Sequence, residues 1–161
     1  MKPLLLGALV LHFSFNQARA DSFCESVMAA IRSGGNNFTS IQRDPIQDYG
    51  FKSGLTLAGM DECDIQIAQQ DEKNPPVLYC QRQRADSFDG FETDLTGCLK
   101  GWTKTSGTYP APTTSPKNKA GAPLRWMQFV DKTSVVGLRS WQRSDDVFVI
   151  SISKTWRGSQ I

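Results

Sequence analysis

The sequence predicts a single α+β domain, with two helices against an antiparallel sheet of about six strands, stapled by disulfides. Three observations predict it. Two segments carry apolar residues at helical spacing. Six short runs read as strands, and turn-forming residues join most of them, so neighbours pair antiparallel. Four cysteines, an even number, all lie beyond an apparent export signal. There is no G-x-G-x-x-G, no P-loop and no internal repeat in the sequence, so a Rossmann-type sheet is not indicated.

The chain opens MKPLLLGALVLHFSFNQARA. Lys2 gives a short positive start, and Leu4 to Phe15 forms an apolar run of 12 positions. That run is well short of the ~20 residues that cross a bilayer. Ala18-Arg19-Ala20 fits the small-x-small rule, which places cleavage after Ala20 and makes residues 1–20 a signal peptide. Cys24 is not adjacent to the cut, so a lipid-modified N-terminus is not expected. The remaining chain, 21–161, is expected to be periplasmic or secreted, with no membrane span. It is long enough for one proper core.

Ser22 to Glu25 reads as a capping box at the start of the first helix. Phe23, Cys24, Val27, Met28 and Ile31 share its apolar face, and Gly34-Gly35 ends it. Residues 36–49 read as loop, with an Asn-x-Thr sequon at Asn37 that matters only in a eukaryotic secretory pathway. The first strand is expected within residues 49–59. CDIQIA then alternates, QQDEKNPP is turn chemistry, and VLYCQRQ is β-rich. Placing Cys63 opposite Cys80 puts Ile65 opposite Leu78 and Ile67 opposite Pro76 on one side. Asp64 then faces Tyr79, and Gln66 faces Val77, on the other.

A second helix is expected in ADSFDGFETDLTGCLKGW. Phe88, Phe91, Leu95, Cys98, Leu99 and Trp102 form its apolar face, Asp86 caps its start, and Gly101 stops it. Residues 103–123 hold four prolines and read as a Pro-rich surface loop. Three strands complete the domain, at 126–130, 135–141 and 147–153. The expected order is α-β-β-β-α-loop-β-β-β.

The register favours a Cys63–Cys80 disulfide, which leaves Cys24 to join Cys98 between the two helices. Redox pairs prefer C-x-x-C and zinc sites prefer paired short spacings, whereas the spacings here are 39, 17 and 18. The only histidine, His12, lies in the leader. The exported chain therefore has no histidine-based triad, dyad or general base, and no His-containing zinc site. Asp61, Glu62 and Asp64 cluster, but they lack calcium-loop spacing. Ser151 to Lys154 matches S-x-x-K, yet it sits in a strand, where the two side chains point to opposite faces. Neither a cofactor nor a metal is expected.

Lys2 and Arg19 leave with the signal, so the 16 remaining basic residues balance 16 acidic ones. A neutral chain is a poor general nucleic-acid binder. The charge is uneven, net −7 over 21–98 and net +7 over 99–161, so the two halves are expected to pack and neutralise each other. The run TYPAPTTSPKNK, with Tyr109, Lys117 and Lys119, suits contact with a partner. Trp156 is the tryptophan best placed for exposure, whereas strand tryptophans are expected in the core.

The pattern GLTLAGMDECDIQ…LYCQRQ…LTGCLKGW resembles small exported bacterial proteins in which a strand, a cysteine hairpin and a helix end in Cys-Leu-x-x-Trp. The resemblance covers residues 54–102 and rests on Cys63, Cys80, Cys98, Leu99 and Trp102. It implies export and disulfides, and it implies no activity. The element order is also similar to secretion-chaperone-like α+β folds, a likeness of topology alone. The functional expectation is a non-catalytic binding protein of the periplasm or exterior, an inhibitor or immunity-type partner of an envelope protein. The alternatives are a carboxylate-dependent hydrolase of envelope glycans or peptides, and a small-ligand carrier.

Overall fold

A computed structural model of the chain describes residues 6–47, 49–67, 75–82, 88–109, 124–140 and 148–154. In chain order they form α1 (Leu6–Gly34), a short 3-10 turn (Thr39–Ile41), β1 (Gln42–Ile46), β2 (Gly50–Ser53), β3 (Glu62–Gln66), β4 (Val77–Arg82), α2 (Phe88–Cys98), β5 (Thr103–Tyr109), β6 (Leu124–Val130), β7 (Ser134–Ser140) and β8 (Phe148–Lys154). All strands join one antiparallel sheet in the order β1-β2-β3-β4-β8-β7-β6-β5. A helix followed by a four-stranded meander occurs twice in succession, α1 with β1–β4 and α2 with β5–β8. The last strands of the two meanders, β4 and β8, meet at the centre.

The α+β class stands, but the described residues form eight strands rather than about six. Both additions fall in segments read as loop. β1 carries Pro45, which an edge strand tolerates because its N–H need not join a ladder. Thr103–Tyr109 pairs along its whole length with β6, so the expected Pro-rich loop at 103–123 loses its first seven residues to β5. The rest of that loop, 110–123, lies outside the described residues. β5 is an edge strand with little apolar surface, so no hydrophobic alternation marks it. The first helix also differs. α1 runs from Leu6 through Ser22 without a break, so Ser22 and Glu25 lie inside the helix rather than at a cap.

The core lies between the helices and one face of the sheet. Phe23, Val27 and Ala30 of α1 are buried there with Phe88, Phe91 and Leu95 of α2. They pack on Ile65 of β3, Leu78 of β4, Ile150 and Ile152 of β8, Leu138 of β7 and Phe129 of β6. Phe91 is the hub. Its ring lies 5.2 Å from Phe23, edge-on, and 4.7 Å from Phe148. Phe38, just past α1, is fully buried as well, in a left-handed backbone conformation at φ 61°.

The β3–β4 register is the one the alternation predicts, with Cys63 opposite Cys80, Ile65 opposite Leu78, Asp64 opposite Tyr79 and Gln66 opposite Val77. The ladder ends at Gln66. Ile67 is 37% exposed, and its N–H donates to the Tyr49 carbonyl at 2.9 Å rather than extending the hairpin toward Pro76. Disulfides join Cys63 to Cys80 and Cys24 to Cys98, the latter tying α1 to the end of α2. Gly101, at φ +86°, terminates α2 as a left-handed stop. Gly50 permits the close approach of β2 to β3, since a Cβ there would stand 1.8 Å from the Ile65 carbonyl oxygen.

The opposite charges of the two halves do meet. Arg125 of β6 binds Asp89 at 2.6 Å and Glu92 at 3.1 Å on α2, and its guanidinium lies 4.3 Å from the centre of the Phe88 ring. Lys104 of β5 binds Glu92 at 2.9 Å. These bonds fasten α2, from the acidic half, onto the basic second meander.

Asp131 organises the β6–β7 turn. Its Oδ1 accepts the Thr133 and Ser134 N–H groups, each at 2.7 Å, and the Thr133 hydroxyl at 3.0 Å. Partial burial opposes the charge, but the three donors outweigh it and hold the carboxyl below its ordinary value. A lowered carboxylate pKa stabilises the fold above the unfolded value of ~4, and that stability is lost as pH falls through the lower folded value. Asp131→Ala should therefore cost about 1 to 2 kcal/mol at neutral pH. Urea unfolding at pH 7 and pH 3 should show the gap to wild type narrowing in acid.

Candidate functional site

Alternation gives the sheet two unlike faces. One is the core. The other has no helix on it among the described residues, and the register sets out its rows. Lys52, Asp64, Tyr79, Ser151, Gly137, Gln128 and Thr105 follow one another across seven strands. Beside them run Glu62, Gln81, Val149, Arg139, Trp126 and Gly107.

A cavity of about 410 Å³ opens on this face. Tyr49, Glu62, Asp64, Gln66, Tyr79, Gln81, Arg139 and Val149 line it. Tyr49 reaches it from the β1–β2 turn and is 49% exposed, which leaves its ring on the rim. A second hollow, about 160 Å³, lies alongside, with Trp126, Gln128, Gly137 and Ser151 in its lining. Arg139 lines both and links them.

The two carboxylates of the larger cavity already have neighbours. The Gln81 side-chain amide donates to Glu62 Oε1. Lys52 Nζ stands 3.2 Å from Asp64 Oδ1, and the Asp64 carboxylate raises the pKa of that ammonium. This oxygen has no aligned hydrogen-bond donor among the described residues, so the ion pair is what balances it. The arrangement offers two phenols, two amides, a guanidinium and two partly engaged carboxylates over an apolar floor at Val149. It can hydrogen-bond and stack. Among the described residues, no three Cys, His, Asp or Glu side chains are grouped to hold a metal.

None of the expected binding residues has a described side chain. Tyr109 ends β5, on the sheet edge, and its side chain is outside the described residues. Lys117, Lys119 and Trp156 lie outside the described residues altogether. The four cysteines form the two structural bridges and none is free. Ser151 and Lys154 sit on strand β8. Trp126 is a correction: it stands half-buried on the helix-free face, not in the core. The signal was present in LRWMQFV, because Met127 and Phe129 face the core and the residue before each must face away. The same parity in VLYCQR turns Tyr79 outward, opposite in sense to Leu78 and Cys80. No helix among the described residues is long and apolar enough to cross a membrane. No protein-family model, curated protein or solved structure matches this chain.

Proposed function

We propose that the protein is a non-catalytic binding protein, exported to the periplasm or exterior, that engages an envelope protein as an inhibitor or immunity-type partner. The helix-free face of the sheet is the contact surface in this reading. One observation carries it: Tyr49, Tyr79, Trp126 and Arg139 gather on that face around two adjoining hollows. Tyrosine, tryptophan and arginine are the residues on which interface energy concentrates. The two disulfides fit an oxidising compartment.

The test is capture from envelope extract with the oxidised protein as bait, beside an Arg139→Glu variant that reverses the charge between the hollows. The expected result is one stoichiometric partner with wild type and at least tenfold less with the variant, the scale of an interface hot spot. Equal capture by both would remove this face from the interaction.

The hydrolase reading has one observation in its favour, since Glu62 and Asp64 share the larger cavity. Glycan release by the wild type, abolished in Glu62→Gln and Asp64→Asn, would replace binding with catalysis. The carrier reading has no such support. Phe23, Phe91, Phe129 and Phe148 are buried in the core between helices and sheet.

A further inference from the structure

The two edges of the sheet are built differently. β1 has five residues, a proline at position 45 and a register shift against β2. Those are devices that blunt an edge. Among the described residues, β5 has none of them. It is seven residues long, lacks proline, and pairs with β6 in unbroken register from Thr103 to Tyr109. Its one charge does not guard it, because Lys104 turns toward Glu92 of α2 at 2.9 Å. Its glycine is shielded on one side, since the Trp126 indole lies against Gly107, 3.0 Å from where a Cβ would stand. An aromatic ring over an edge glycine pins the register of its strand, here that of β5 on β6.

We propose that β5 pairs antiparallel with β5 of a second copy, about a two-fold axis through Ser106. The two sheets then form one continuous sheet of sixteen strands. This goes beyond the partner-binding reading and does not depend on it. The sequence of the strand selects the register. A two-fold between antiparallel strands must fall on a residue, because an offset of one would oppose core-side and outer-side positions. Centring it on Ser106 makes the longest overlap, all seven residues. Thr105 then faces Gly107, Lys104 faces Thr108, and Thr103 faces Tyr109. No charge opposes its like, whereas an axis on Lys104 would set that lysine against itself. The basic bias of the second half does not oppose pairing here, because Lys104 and Arg125 beside the edge are both bound to α2 carboxylates. In this arrangement the helices of both copies lie on one side, and the two helix-free faces form one broad surface.

Light scattering of the oxidised protein over a concentration series should give the mass of two copies. Ser106→Lys changes an exposed residue and sets two ammonium groups face to face, so it should return the mass to one copy with an unchanged circular dichroism spectrum. Ser106→Cys should yield a covalent dimer in air, and Thr108→Cys, which faces Lys104, should not. A single-copy mass at the highest soluble concentration would overturn the proposal. So would a Ser106→Lys protein that stays dimeric, or cross-linking at position 108 and not at 106.

Discussion

Replacing Cys24 and Cys98 together with alanine is expected to lower stability by about 4 kcal/mol. The bond closes a span of 74 residues and joins the middle of α1 to the end of α2. Without it the unfolded chain regains the freedom of a loop that holds all of the first meander. The entropic cost of closing a loop rises with the logarithm of its length. The Cys63–Cys80 bond spans only 17 residues within one hairpin, so its removal should cost about 3 kcal/mol by the same reasoning. A loss of 4 kcal/mol is a large part of the 5 to 15 kcal/mol typical of a domain. It should appear as a fall in midpoint on the order of 10 °C. Urea and thermal unfolding of the oxidised proteins, single and double variants side by side, would measure both numbers and their order.

Phe91→Ala is expected to cost about 3 to 5 kcal/mol, the usual range for emptying a buried aromatic site. Phe91 is 1% exposed and touches an aromatic ring from each of its neighbouring layers, Phe23 on α1 and Phe148 on β8. The Arg82 guanidinium lies 5.8 Å from its ring centre, on the strand next to β8. Removing the ring therefore loosens α2 from both partners, and the cavity has walls from three elements that cannot close independently. Phe91→Leu should cost clearly less, because it refills most of the volume. Denaturant unfolding of the two variants would separate lost packing from any change in α2 helicity.

These two effects rest on features that were readable in the sequence. Phe91 announces itself by the 3-4-3 spacing of Phe88, Phe91, Leu95 and Cys98, a pattern that only a helix lays on one side. The hairpin register follows from parity, since Cys63, Ile65, Leu78 and Cys80 must share a face. The edges were hidden for a physical reason. β1 and β5 are held chiefly by ladder hydrogen bonds to one neighbour, and their side chains are mostly polar and exposed. A strand that buries little needs no apolar alternation, and Pro45 and Gly107 mask it further. Phe38 was hidden because a lone aromatic in a polar segment has no period to betray it. The candidate site was legible only in part. Parity turns Tyr79 and Trp126 away from the core, but their neighbourhood with Arg139 depends on β4 and β7 flanking β8. That order follows from the two meanders meeting at their last strands, which no local pattern encodes.

The central claim is that partner contact runs through the helix-free face. A photo-reactive benzoylphenylalanine placed at Tyr49, on the rim of the larger cavity, tests it inside cells. The control is the same group at Met28, 36% exposed on α1 at the other side of the molecule. Irradiation should join the protein to one envelope protein from position 49 and leave position 28 unlinked. An adduct from position 28 alone, or none from either, would contradict the account.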